Sequence, residues 1–300
     1  METAAAPSRT AVLAIAAASV LWGTTGTAAS FLPDDVSPLA IGASTMTVGG
    51  LLLFIVSARG AIRTLRVPGA RRWVLIGAVG VFVYPLAFYT GMHDAGVAIW
   101  NVVALGSGPV FAAILERTIE GRRLSARWGV ATAIAVAGVA LIGVGGGSGA
   151  DAGRGIAFAL LAGLAYALYT YSSSRIIAAG HSSSAAVGGM FGVGALLLLP
   201  VLLATGSPLL ETSATVGIAA YLAVGPMFVA YLLFGFGLSR VRSSAATTIA
   251  LLEPLVATVL AVVIVGERVG ALGWIGVALI FVGLAVLVTA RQKRNKPSAP

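Results

Sequence analysis

The chain repeats itself at an offset of 145 residues. Pro109-Val-Phe-Ala-Ala-Ile-Leu falls on Pro254-Leu-Val-Ala-Thr-Val-Leu, and Gly121-Arg-Arg-Leu on Gly266-Glu-Arg-Val. Gly49-Gly-Leu-Leu-Leu falls on Gly194-Ala-Leu-Leu-Leu, and Gly80 on Gly225. Near the start of each copy, Leu21-Trp22-Gly23 lies one residue out of step with Ala165-Tyr166-Ala167. Each copy holds five apolar spans. A unit with an odd number of spans starts on one side of a membrane and ends on the other, so the second copy must sit upside down relative to the first. Inverted-topology repeats build many secondary transporters, with the solute site at the interface of the halves. The duplication therefore points to transport.

Composition agrees with the spans. Hydrophobic residues make up 58% of the 300, only 10% are charged, and the mean hydropathy is +1.00. A water-soluble domain would expose far more apolar surface than such proteins tolerate. Ten stretches reach the ~20 residues needed to cross a bilayer core as helix. They are predicted at about 11–30, 37–57, 73–92, 96–115, 127–145, 155–174, 184–204, 213–234, 243–264 and 271–290. Gly, with 39 residues, is high, as in membrane helices generally. Cysteine is absent, which removes any disulfide frame, thiol nucleophile or thiolate metal site.

The net charge of +9 could suggest a nucleic-acid partner, but its distribution argues for a membrane instead. With the N-terminus inside, the inner segments hold Arg9; Arg59, Arg63, Arg66, Arg71 and Arg72; Arg117, Arg122, Arg123 and Arg127; Arg175; Arg240 and Arg242; and Arg291, Lys293, Arg294 and Lys296. Only Arg154 and Arg268 are left outside. Excess Lys and Arg on the cytoplasmic side orients membrane proteins. The expected protein is an all-α integral membrane protein with ten transmembrane helices in two inverted-topology five-helix repeats. Both termini would be cytoplasmic, in the plasma membrane. The arginines near 117–127 could touch anionic lipid headgroups, although a role in topology suffices.

The first span has the look of a signal peptide, with Arg9 ahead of an apolar run and Ala28-Ala29-Ser30 behind. Its counterpart around Tyr166 could not be cleaved, so the span is expected to be retained. The domain plan is a first repeat at 1–145, a Gly-rich linker at 146–153, a second repeat at 154–290 and a basic cytoplasmic tail at 291–300. The linker resembles a phosphate loop only in composition, since it lacks the Gly-Lys-Ser/Thr ending. Small residues four apart, such as Ala159, Gly163 and Ala167, should let helix backbones approach closely.

Prolines inside spans carry more information. Pro109 and Pro254 occupy the same place in the fourth span of each copy, and Pro85 and Pro226 both fall in the third. Each removes a backbone donor and leaves a carbonyl without its usual partner. In lipid, such groups need neighbouring protein or a wet cavity. Paired interruptions of this kind point to a transporter's site and its gating elements. A kink kept for packing is the plainer alternative.

Three local patterns resemble the drug/metabolite transporter superfamily, specifically its EamA-like members. They are Leu21-Trp22-Gly23-Thr-Thr-Gly; Leu252-Glu253-Pro254-Leu followed by Gly266-Glu267-Arg268 and Trp274-Ile-Gly276; and Gly121-Arg-Arg-Leu124 with Trp128-Gly129. With the duplicated plan, the resemblance spans nearly the whole chain. It implies a ten-helix basket whose central cavity is lined mainly by the first, third and fourth helices of each half. It also implies export or exchange of amino acids, nucleosides, sugars or related metabolites without ATP hydrolysis. The first copy departs from the pattern where Arg122 stands in place of the acidic residue of Gly-Glu-Arg; Glu120, two positions upstream, is a candidate substitute.

Glu253 is the only acidic residue near the middle of a span. A charge there costs at least ~2.5–3.5 kcal/mol on insertion scales, so it needs a partner, a proton or water. It is the proton-coupling or substrate-amine candidate, with a backbone cap beside Pro254 as the structural alternative. Trp22, Tyr84, Asn101, Tyr166, Phe228, Tyr231 and Thr248 are the substrate-binding candidates. The rings could stack on a cationic or amphipathic ligand, and Asn101 is the costliest polar group to bury. His93 and His181 lie too far apart for a metal site, and Gly106-Ser107-Gly108 has no mid-span His to activate its serine. An enzyme, a cofactor and a metal are therefore not expected. The partners expected are a small-molecule substrate and membrane lipids, and the sequence permits a homodimer without specifying one. Two alternatives stay open: a flippase for a lipid or lipid-linked intermediate, and a membrane receptor or assembly subunit that transports nothing.

Overall fold

Several helix ends in this chain fall where the sequence supplies a cap. A computed structural model describes residues 9–121, 151–238 and 252–294, with short stretches at 129–130, 133–134, 136–138, 140–141, 240 and 249–250. The main helices are α1 (Arg9–Gly23), α2 (Thr25–Ala29), α3 (Pro38–Arg66), α4 (Pro68–Ala95) and α5 (Val97–Glu120). They continue as α6 (Ala152–Ala178), α7 (Ser183–Thr205), α8 (Ser213–Leu222), α9 (Ala230–Leu238), α10 (Leu252–Leu260) and α11 (Ala271–Arg294). A π-helical turn, Ala223–Val229, joins α8 to α9, and another, Ala261–Val265, follows α10.

Several caps stand 145 residues apart, so the repeat is written into helix boundaries. Ser37 accepts from the Ala40 N–H at the start of α3, and Ser182 accepts from the Ala185 N–H at the start of α7, both at 3.2 Å. Val67 precedes α4, and Thr212, in a reciprocal capping pair with Thr215, precedes α8. The Ser and Thr side chains occupy backbone donors that a helix start leaves without partners, whereas Val67 supplies no side-chain acceptor and is followed by Pro68, which has no N–H to satisfy. At the other end, Gly121 closes α5 and Gly266 closes the π turn after α10, with φ of 68° and 78°. Only glycine takes that left-handed cap without a steric penalty.

Among the described residues, seven helical segments are long and apolar enough to cross a membrane: 9–29, 38–66, 68–95, 100–120, 153–178, 183–205 and 213–237. Leu255–Val265 and Ala271–Gly283 are shorter apolar pieces. The expected fifth span, 127–145, falls largely outside the described residues, as does the start of the ninth. The outward-facing side chains include Leu13, Ile55, Leu196, Leu203 and Val263, all more than 60% exposed. Lipid, not water, suits that surface, and the protein is an all-helical, multi-pass membrane protein.

Two boundaries differ from expectation. The basic stretch between the second and third spans is helix, not loop: α3 runs on to Arg66, and α4 starts at Pro68. Val67 alone is extended (φ −90°, ψ 114°), because a following proline disfavours the helical conformation. The expected boundary at 154 falls within a helix, since Asp151 accepts from the Arg154 N–H at 3.0 Å and α6 starts at Ala152. Residues 142–150 of the linker region and 295–300 of the tail lie outside the described residues, while 291–294 continue α11.

The halves pack through each other reciprocally. Helix α6 lies along α4 and α5, and its equivalent α1 lies along α9 and α10; α3 and α7 pack extensively on each other. The contacts are close. A methyl group at Gly163 of α6 would strike Ser107 and sit 2.8 Å from the Ala104 carbonyl of α5. One at Gly23 would sit 2.7 Å from Val256 and 2.9 Å from the Glu253 carbonyl. The Leu-Trp-Gly and Leu-Glu-Pro patterns, far apart in sequence, therefore touch.

Candidate functional site

Between the halves lies a cavity of about 810 Å³, within the size range of small-molecule sites. Its floor carries Trp22 from α1, Tyr84 from α4, Tyr166 and Tyr169 from α6, Phe191 from α7, Tyr231 from α9 and Glu253 from α10. Thr25, Thr45 and Tyr89 border the same region. From there its lining extends past Ser57, Ser173 and Ser174 to the exposed Ser182, Ser183 and Ser184. We refer to this as the open end.

The rings form a continuous wall. Trp22 meets Tyr231 with centroids 5.3 Å apart, Tyr231 meets Phe191 at 5.1 Å, and Phe191 meets Tyr169 at 5.5 Å. Tyr169 then meets Tyr166 at 5.2 Å and Tyr84 at 6.0 Å. Edge and tilted geometries dominate, as the ring quadrupoles favour. The hydroxyls of Tyr169 and Tyr231 share a hydrogen bond of 3.2 Å. The Glu253 carboxyl lies within electrostatic reach of the Tyr84, Tyr166 and Tyr231 hydroxyls. Among the described lining residues it is the only charged group.

The opposite, closed end is filled. Phe88, Tyr89, Met92, Trp100, Leu209 and Leu222 belong to one buried cluster, and Trp100 meets Phe88 at 4.1 Å between centroids. Around the cluster, Glu267 accepts from the Val97 N–H at 2.6 Å. Asp94 pairs with Arg154 at 3.1 Å, and its carbonyl accepts from the Asp151 N–H at 3.1 Å. Thr24 and Tyr221 share a hydrogen bond of 2.6 Å. The carboxylate of Gly-Glu-Arg thus caps the start of a helix in the other half, where the helix dipole favours negative charge. In the first copy Glu120 instead accepts from Tyr171 at 3.0 Å and Arg175 at 3.2 Å.

Of the candidates read from sequence, the structure brings Trp22, Tyr84, Tyr166, Tyr231 and Glu253 together, with Pro85 and Pro226 also on the wall. Asn101 is elsewhere: it is 1% exposed, off the cavity, and neither of its side-chain polar atoms finds a partner among the described residues. Phe228 packs against the cluster around Tyr169 and Met190 and does not line the cavity. Thr248 lies outside the described residues. Pro226 sits in the π turn, where the Ala230 N–H reaches back five residues to the Gly225 carbonyl. Pro85 leaves α4 continuous. Pro109 and Pro254 lie within α5 and α10.

The lining also differs from the expected set of first, third and fourth helices. The second helix of each half contributes heavily, through Thr45, Met46, Leu53 and Ser57 on α3 and Val187, Met190 and Phe191 on α7, whereas α5 supplies Leu105. The signal was present in the polar run Ser44-Thr45-Met46-Thr47 inside an apolar span and in the helical spacing of 46, 53 and 57. No three His, Asp or Glu side chains come together among the described residues to hold a metal.

Residues 9–144 and 153–289 each match the EamA-like transporter family. The chain belongs to that family. Two EamA-like repeats cover almost all of it, and the protein is a transporter by family, not an enzyme. It is 32% identical over 288 residues to the uncharacterized transporter YwfM of Bacillus subtilis (strain 168), covering 94% of this chain and 95% of that one. It is 27% identical over 299 residues to a probable terminal-alkyne amino-acid exporter of Streptantibioticus cattleyicolor, covering 97% of each. A solved crystal structure 23% identical in sequence matches with a TM-score of 0.64, covering 95% of this chain and 99% of that one, and shares the fold.

Proposed function

We propose that this EamA-like protein is a secondary exporter of a small organic metabolite. It would work by alternating access in the cytoplasmic membrane, with ten helices in two inverted repeats and both termini inside. The observation that carries the reading is a cavity between the halves, open at one end and packed shut at the other. The reciprocal helix pairs support inversion, since each half lends the other the same surface. Arg72 and Arg175, both stacked on Trp73 with 5.2 and 5.6 Å from guanidinium to ring, mark the open end as the arginine-rich one. By the positive-inside rule that end faces the cytoplasm, where an exporter loads. The amino-acid exporter among its relatives supports the direction. Glu253 is the site at which a proton or a cationic solute would be held during the cycle.

The test compares metabolites in medium and cytosol of cells overproducing the wild type, Glu253→Gln or an empty vector. Outward movement of one compound class with the wild type alone supports export through Glu253. Equal export by both proteins makes Glu253 structural. If neither protein moves any solute while both reach the membrane, the transport reading fails.

A further inference from the structure

Resting on that reading, we infer that the cavity takes an organic monocation, an amine carried on an apolar or aromatic body, and discriminates against the corresponding zwitterionic amino acid. Charge makes the first argument. Glu253 is the only charged side chain among the described lining residues, and neither Lys, Arg nor His joins it there. Among the described residues its carboxyl has no hydrogen-bond or ion-pair partner, which leaves room there for a proton or a ligand to neutralise it. A buried carboxylate is sustained by such a partner and not by apolar walls.

Geometry makes the second argument. The wall from Trp22 through Tyr231, Phe191 and Tyr169 to Tyr84 lines the same cavity as the carboxyl, with neighbouring ring centroids 5.1–6.0 Å apart. Ring faces attract cations and repel anions, and the ring bodies suit an apolar ligand. The carboxylate of an α-amino acid is held one carbon from its amine. With the amine on Glu253, that second carboxylate would lie beside Glu253 itself, like charge against like. Among the described lining residues the groups able to answer it are neutral, and two of the hydroxyls, on Tyr169 and Tyr231, already bond each other. The serines toward the open end offer a polar approach, and none of the described residues lining that part of the cavity is charged.

The experiment uses the purified full-length protein and three probes that share one ring: phenethylamine, L-phenylalanine and 3-phenylpropionate. Binding is read by thermal stabilisation and quenching of tryptophan fluorescence, and flux is read in proteoliposomes. Phenethylamine is expected to bind about tenfold tighter than phenylalanine or better, with phenylpropionate weakest. Glu253→Gln should remove the preference and Glu253→Asp should retain part of it. Phenylalanine binding as tightly as phenethylamine, or phenethylamine failing to bind folded wild type, overturns the inference even if neither variant folds. Amine binding without flux of any probe leaves the inference standing and removes the transport reading. Flux of phenylalanine without an amine preference does the reverse.

Discussion

The two ends of the cavity are built around the same corner and behave differently. At each, a left-handed glycine, Gly121 or Gly266, stands beside a carboxylate that reaches into the other half. Glu120 ties α5 to α6 at the open end, and Glu267 ties the loop after α10 to α5 at the closed one. Both ends are therefore stapled, yet only one is shut. What differs is the filling: Phe88, Tyr89, Met92 and Trp100 occupy the closed end, while the open end presents Ser173, Ser174 and Ser182 to Ser184. Polar ties hold the halves in register, and packed rings decide whether a path exists between them.

Removing the filling should do most to erase the difference. Trp100 is fully buried, and Trp100→Ala should cost about 3–5 kcal/mol of stability. In this cysteine-free chain, Thr25→Cys serves as a reporter that should turn from slow to fast reaction with an impermeant maleimide added at the closed end. Unchanged labelling with a folded protein would show that the rings are not the barrier. Cutting the tie should matter less. Glu267→Ala removes a charge-assisted bond and should lower stability by about 1.5–3 kcal/mol, read as a fall in melting temperature, with little added labelling at residue 25. Labelling as fast as with Trp100→Ala would reverse the ranking.

The glycine corners should respond alike. Gly121→Ala and Gly266→Ala each force a side chain into the left-handed region, where nothing else touches it, and each should cost about 1 kcal/mol. A large inequality in melting temperature would mean that the corners are not equivalent. The smallest effect belongs to Tyr221→Phe, which deletes the bond to Thr24 at an exposed position. It should lower stability by about 0.5–1 kcal/mol; a loss as great as that of Glu267→Ala would make this hydroxyl pair a principal latch.

Hydropathy, charge alternation and the 145-residue offset made the helical membrane architecture legible, because each follows from local chemistry: apolar runs, cap residues and basic ends. Trp22 and Tyr166 were legible as wall residues through their equivalent places, and Glu253 through the cost of a charge in an apolar span. Asn101 misled because composition cannot distinguish a polar group turned to a cavity from one buried away from it. Phe228 was offered only as a ring able to stack on a ligand, and composition does not tell such a ring from one packed in the core around Tyr169 and Met190. The helical course of the chain up to Arg66 and again from Pro68 was hidden too, because arginines at a helix end and arginines in a loop look the same in one dimension.

The interlocked halves also bear on how the protein is made. The groove on α5 that Gly163 fills stays empty until residues 152–178 have been synthesised, and α1 waits longer still for α9 and α10. During translation the first repeat is thus inserted but unfinished, its small-residue faces turned to lipid or to whatever shelters them. A ribosome that stops near the middle leaves a product without a closed tertiary structure, and the membrane's quality-control machinery gains a simple criterion for discarding it.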